Sequence, residues 1–336
     1  MFENSKKSEV AVMGNGNEIW HAFTSFQSAS VAQKYLKRSY EKAGIDQPEL
    51  KSYDNCYPFI YYIAHGKKYY HLAEQSPVEL KPILLFYGMI QLVKACLLTV
   101  DPSYPQNTNV LAHGVSTRKR KKKNYSFFDD EVRIQKHGLL NHFADKLFCQ
   151  NPLWPDRIKM KTLLAKIPEL NETFHQIKEK RPLVHVKTSD RNIVIPLMIL
   201  DELNMTEQRF VQFLASRSTL RLSSFYTERG WMTIDCQHGL SPLNALPFVF
   251  HMEKGFFLPT DRELYEPLHE VIVQYLLLYN LSMICRYETE WWNELFHTYS
   301  SDDLPFIQQF LTITSTKIPY LLSEYLLERN KSKIGK

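Results

Sequence analysis

From Ile83 to Val100 the chain carries a single charge, Lys94. A helix built from such a segment is apolar on nearly every side, so other parts of the protein must cover it all round. At 1.5 Å per residue it spans about 27 Å, the width of a small domain. Pro82 and Asp101-Pro102 flank it and Lys94 interrupts it, so it reads as a buried central helix and not as a membrane span. Two starts fit the residues. One is a capping box at Ser76-Pro77-Val78-Glu79; the other is Lys81-Pro82, with the proline in the first turn where its missing N–H is tolerated. Gly88 removes side-chain bulk at mid-helix and predicts the close approach of a second helix.

A second segment of this kind, VIVQYLLLYNLSMIC, runs from Val271 to Cys285. It is the natural partner of the first, and direct packing of the two is expected. The residues between them change character. Leu183–Lys187, Thr219–Tyr226 and Trp231–Cys236 read as strands, and 248–252 with 256–258 as a hairpin turning at Glu253-Lys254-Gly255. Thr206–Arg217 reads as a helix. The expected fold is therefore mainly α (α+β). Residues 1–182 form the N-terminal part of a helical core, 183–260 a small β-containing insert, and 261–336 the helices that complete the core. Helices are also expected around Ile19 to Phe26, from Ser30 to Gly44, and from Pro305 to Arg329 with a break near Pro319.

With 44% hydrophobic and 13% aromatic residues, the chain has ample material for a core, which excludes global disorder. The five cysteines are far apart and none forms a C-x-x-C pair, so neither a zinc site nor a disulfide framework is indicated. A reducing, cytoplasmic setting is expected, since the N-terminus also lacks the apolar stretch of a signal peptide.

The formal net charge is +5, and six of the cations lie side by side: Arg118, Lys119, Arg120, Lys121, Lys122 and Lys123. Taking those six from +5 leaves −1, so the basicity is one patch on a neutral chain. Adjacent like charges form either a solvated loop or an arm that follows a phosphate chain.

No catalytic signature accompanies the patch: there is no G-x-S-x-G, H-E-x-x-H, phosphate-binding loop or dinucleotide fingerprint. No cofactor and no metal site are expected. Three His-Gly pairs, at 113–114, 137–138 and 238–239, read as turns. The six tyrosines between Tyr53 and Tyr70 read as a helix-packing surface with hydroxyls at its rim. Arg262 and His269 are the one pair that could stabilise a phosphorane and move a proton, the chemistry of a metal-independent ribonuclease.

Three segments, SPVELKPILLFYGMIQLVKACLLTVDPSYP, VLAHGVSTRKRKKKNYSFFDDEVRIQKHGL and LSMICRYETEWW, closely resemble the YaaC family of Bacillus-type bacteria. The resemblance carries no catalytic residues; the family's gene neighbourhood implies a link to purine metabolism, with IMP dehydrogenase as a candidate protein partner. Tyr87-Gly88, Lys94-Ala95 and His113-Gly114 are more distantly similar to HEPN helical domains, which implies a HEPN-like core. Arg262 and His269 match the spacing of HEPN ribonucleases, while Glu263 departs from their usual pattern.

The expected function is a non-catalytic binding or regulatory protein that engages RNA or a nucleotide through residues 118–123. The alternatives are a HEPN-type ribonuclease and a protein partner of a purine-biosynthetic enzyme. A homodimer is also among the expected assemblies.

Overall fold

The computed structural model describes residues 17–117, 125–150, 154–299 and 301–330. The N-terminal half opens with α1 (Asn17–Thr24), α2 (Ala29–Lys42), α3 (Pro48–Gln75) and α4 (Lys81–Leu98). Of the two starts expected for the apolar helix, the one at Lys81-Pro82 is found. Ser76 serves the preceding helix instead: its hydroxyl donates to the carbonyl of Leu72 at 2.7 Å and closes α3. Residues 77–80 then form the turn that lets α4 fold back.

Helices α3 and α4 cross at two glycines. A β-carbon on Gly66 would lie 2.9 Å from Leu92 Cδ2, and one on Gly88 would lie 2.9 Å from the ring of Tyr70. Neither helix could approach so closely with larger residues there, which is the role the sequence suggested for Gly88.

The chain continues through β1 (Val115–Thr117), β2 (Glu131–Ile134), α5 (Leu139–Phe148), β3 (Arg157–Lys159), α6 (Met160–Leu164) and α7 (Asn171–Lys178). The strands form one antiparallel sheet in the order β1-β2-β3. The middle of the chain supplies β4 (Leu183–His185), β5 (Lys187–Thr188), β6 (Asn192–Pro196), α8 (Met198–Leu203), α9 (Glu207–Arg217), β7 (Leu222–Glu228), β8 (Trp231–Cys236), β9 (Val249–His251) and β10 (Gly255–Pro259). These strands make two further antiparallel sheets, β4-β10-β9 and β5-β6-β8-β7. The single strand expected over Leu183–Lys187 is split between them, because Val186 turns into the interior where the two sheets diverge. Strand β6 was not expected, although Ile193 and Ile195 alternate inward along it. The hairpin at Gly255 is present, with Gly255 at φ +80°.

The last elements are α10 (Glu270–Tyr287), α11 (Thr289–Thr298) and α12 (Asp303–Asn330). Helix α10 packs directly against α4, as the apolar pattern required. Phe86 meets Tyr275 at 5.2 Å and Tyr279 at 5.6 Å between ring centroids. Helices α3, α10 and α12 together cover α4, whose length and composition alone would suit a membrane. Leu276 of α10 is fully buried, whereas Leu84 of α4 is only half-buried. Helix α12 runs unbroken through Pro319, contrary to the expected break. Ile318, Leu321 and Leu322 are all fully buried, and that packing offsets the hydrogen bond the proline forfeits.

The fold is mainly α (α+β). One apolar interior joins residues from Phe23 to Phe174 with residues from Leu264 to Leu326, so the two ends of the chain share it. A second lies among residues Val186 to Tyr265, and Tyr320 of α12 packs against both.

Candidate functional site

Residues 118–123 lie outside the described residues, but the sheet from which they spring is well defined. Strand β1 ends at Thr117, and Tyr125 resumes the chain beyond the basic run. The register places Ser116 opposite Arg133, Arg133 opposite Arg157, and Glu131 opposite Lys159. Val132 and Ile158 point into the interior, so the pleat turns Arg133, Arg157 and Lys159 outward, and all three are exposed. Glu131 holds Arg157 at 3.6 Å, while Arg133 has no ion pair among the described residues. A shallow hollow of about 160 Å³ opens between Ser116, Thr117, Glu131, Arg133 and Arg157.

Both anchors of the basic run are fixed. On the near side, Gly114 accepts from Gln135 N at 2.9 Å, and His113 and Ala112 accept from Leu140 N and Leu139 N. On the far side, the Tyr125 hydroxyl donates to Asp130 Oδ2 at 2.6 Å, and its ring meets Trp291 edge-on at 4.6 Å. Burial together with that carboxylate pushes the Tyr125 phenol far above its ordinary range. Asp130 is held in turn by Asn280 of α10 at 3.1 Å. Phe127 N donates to Asp303 Oδ2 at 2.8 Å, tying the segment after the run to α12.

Lys159 also borders a cleft of about 920 Å³ that receives Lys161, Lys178 and Lys180. Asp302 holds Lys178 at 2.9 Å and Asp261 lies 3.7 Å from Lys180. Lys159 and Lys161 form no ion pair among the described residues. Asp129, Asp261, Glu263, Asp302 and Asp303 line the same cleft, so its charge is mixed, and the exposed cations of the sheet face are Arg133, Arg157 and Lys159.

Arg262 and His269 have separate structural tasks. Arg262 donates from Nε to the carbonyl of Leu203 at 3.0 Å and from its guanidinium to that of Asn204, closing the end of α8. His269 is the N-cap of α10. Its Nδ1 accepts from Val271 N, which leaves the proton on Nε2, and Nε2 donates to Leu243 O at 3.2 Å. The ring stacks on Phe148 at 3.8 Å, and burial drives its pKa down to about 4. No hydrogen bond or ion pair among the described residues links the two.

His113 lies beside Tyr87 and Phe86, its Nδ1 lacks a hydrogen-bond partner among the described residues, and burial lowers its pKa. Lys94 faces Tyr62 on the same side of α4, and its pKa is also lowered by burial.

Sequence reasoning missed the most deeply buried charge. Lys317 of α12 is fully buried and bonds Glu169 at 2.8 Å and Glu270 at 2.5 Å, besides the carbonyl of Phe250. Lys166, also buried, donates to the carbonyls of Leu264 and Glu266, and burial drives its pKa down to about 7. Nothing in the local pattern marks either lysine as internal. Among the described residues no group of three or more His, Cys, Asp or Glu side chains could hold a metal ion, and all five cysteines are free thiols.

A helical interior shared by both ends of the chain, small antiparallel sheets beside it, and one outward sheet face carrying cations define a mainly α protein of the α+β class. Within that class the particular family is known: a family model described as YaaC-like Protein matches residues 24–326, and the chain belongs to that family. No curated protein and no solved structure matches it.

Proposed function

We propose that this protein is a non-catalytic, cytosolic binding or regulatory protein that takes a polyanion, RNA or a nucleotide, on a surface made by Arg118–Lys123 together with Arg133, Arg157 and Lys159. One observation carries the reading: the six adjacent cations follow directly on strand β1 of a sheet whose outward face presents further cations in register. Phosphates attract such an array through long-range charge and release counterions on contact. The run follows directly on β1, the strand that pairs with the one carrying Arg133, so loop and sheet can bind one chain of phosphates together.

The test is fluorescence anisotropy with labelled single-stranded RNA, with ATP as competitor. Wild-type protein should bind in a salt-dependent way, and changing all six residues 118–123 to Ser should remove most of that binding without moving Tm. Competition at ATP concentrations near those of the cell would assign the surface to nucleotides. Absence of salt-dependent binding by the wild type to either ligand would overturn the reading. A protein partner from purine biosynthesis would then be the class to pursue.

A further inference from the structure

We propose that the outward face of α3 is a self-association surface, on which two copies of this chain pair antiparallel about a twofold axis at Tyr61. The inward face of α3 is accounted for, with Ser52, Cys56, Phe59, Ile63, Gly66, Tyr70 and Ala73 buried against the rest of the protein. Its outward face is not what a helix exposed to water usually carries. Leu50, Tyr57, Tyr61 and Leu72 are between 51% and 64% exposed, and Tyr53 beside them is 66% exposed. Asp54, His65 and Lys68 are exposed on the same face. At 3.6 residues per turn, Leu50, Asp54, Tyr57, Tyr61, His65, Lys68 and Leu72 fall within an arc of about 80° along roughly 33 Å of helix. An exposed arc of leucines and tyrosines interspersed with Asp54, His65 and Lys68 marks a contact surface that is partly apolar and partly charged.

The order of residues selects the occupant. About Tyr61 the stripe is spaced alike in both directions. Tyr57 and His65 stand one turn away on either side, Asp54 and Lys68 two turns, and Leu50 and Leu72 three turns. A twofold contact between identical surfaces requires such self-complementarity, because each residue on one copy meets its mirror position on the other. In an antiparallel pair crossing at Tyr61, Leu50 meets the partner's Leu72, Asp54 meets the partner's Lys68, and Tyr57 meets the partner's His65. Each of these contacts occurs twice. Tyr61 packs on its own counterpart at the axis, where the Tyr57 and Tyr61 rings, 6.1 Å apart, already form a ladder.

A single-stranded nucleic acid stacked on the same tyrosines would bring its phosphates past Asp54, and the opposite charges at Asp54 and Lys68 would serve no purpose. Charge complementarity therefore favours a second copy. The inference is independent of the polyanion reading, which concerns the β1-β2-β3 sheet.

Sedimentation equilibrium of the full chain at micromolar concentration tests it. Wild-type protein should be dimeric. Tyr61→Glu, which sets two like charges on the axis, should yield a monomer with unchanged circular dichroism and Tm. Asp54→Lys alone should weaken the dimer by about tenfold or more, because it faces Lys68 with a like charge. The double exchange Asp54→Lys with Lys68→Asp should return the affinity to within about threefold of wild type, since the same pair re-forms in reverse. A monomeric wild type, a dimer unmoved by Tyr61→Glu, or a double exchange that restores nothing would each overturn the proposal. So would a monomer whose binding to single-stranded RNA is lost in Tyr57→Ala with Tyr61→Ala, which would give the ladder to base stacking.

Discussion

A β-carbon on Gly138 would stand 2.2 Å from the α-carbon of Gly114. Two of the three His-Gly pairs therefore meet backbone to backbone, and the contact brings the start of β1 against the start of α5. Gly138 sits at φ +138° and Gly114 at φ +79°, conformations that side chains other than hydrogen disfavour. Gly138→Ala should destabilise the protein by at least about 3 kcal/mol, because the obstruction is backbone that cannot step aside. Gly230→Ala is the control. It shares a positive φ, but a β-carbon there meets nothing within 4 Å, so only the conformational term of about 1–2 kcal/mol remains. Chemical denaturation midpoints compare the two, and equal losses would show that crowding at Gly114 contributes nothing.

His269 gives stability a pH dependence whose sign follows from its burial. The folded value of about 4 lies below the ordinary 6.5, so the unfolded chain binds the proton more readily. Its contribution is complete above pH 6.5 and is lost as pH falls toward 4, by about 3 kcal/mol at most. A His269→Gln variant should lose that part of the acid sensitivity while remaining less stable at neutral pH. The same geometry bears on catalysis, since both ring nitrogens are bonded to backbone groups. Purified protein should leave RNA intact in the presence of a chelator. Cleavage that His269→Ala abolishes without unfolding would instead establish the ribonuclease alternative.

The lysine between Glu169 and Glu270 should be among the least replaceable residues. Burial raises the Glu270 pKa even with Lys317 opposing the shift. The two carboxylates, for their part, raise the pKa of Lys317. Lys317→Met leaves two carboxylates facing each other without a counter-charge, and an expected loss of about 3–5 kcal/mol follows. Without Lys317 the Glu270 carboxyl rises further. A raised carboxyl contributes its stability at low pH and loses it as pH climbs through the folded value, so the variant should be weakest in alkaline solution and partly recover near pH 5. Adding Glu169→Gln and Glu270→Gln should recover a large part of the loss at neutral pH. A variant equally damaged at every pH would place the effect in packing and not in charge.

What could be read from residues alone divides along physical lines. The α4 and α10 helices were legible because helices apolar on all sides admit only a buried position. Gly88 was legible because a bare helix position implies a neighbour. The choice between the two starts at Ser76 and Lys81 was not legible, since the residues that open one helix also suit the end of another, and only the course of α3 decides between them. Strand β6 and the split at Val186 depend on which sheet each strand joins, which neighbouring residues do not encode. The tyrosines from 53 to 70 divide by face: Tyr70 is buried as expected of packing aromatics, whereas Tyr53, Tyr57 and Tyr61 stand out from the surface. Arg133, Arg157 and Lys159 are ordinary surface residues in one dimension. Only the register of β1, β2 and β3 gathers them beside the basic run, although the alternation Arg157-Ile158-Lys159 was there to be read.

That register supplies the sharpest test of the proposed surface. For single-stranded RNA, log affinity falls with log salt at about −0.7 per phosphate contacted, so four to six contacts would give a slope of roughly −3 to −4. The slope counts contacts directly and is insensitive to what the bases do. If the sheet face and residues 118–123 bind the same phosphate chain, Arg133→Ser with Arg157→Ser should flatten the slope by up to about 1.4, two contacts' worth. Both side chains are exposed, so Tm should hardly move. Replacing Arg217, an exposed cation at the end of α9 that the proposed surface does not include, should leave the slope unchanged. A double variant that keeps the full wild-type slope, in a protein that still binds through residues 118–123, would detach the sheet from the site and leave the basic run to act alone.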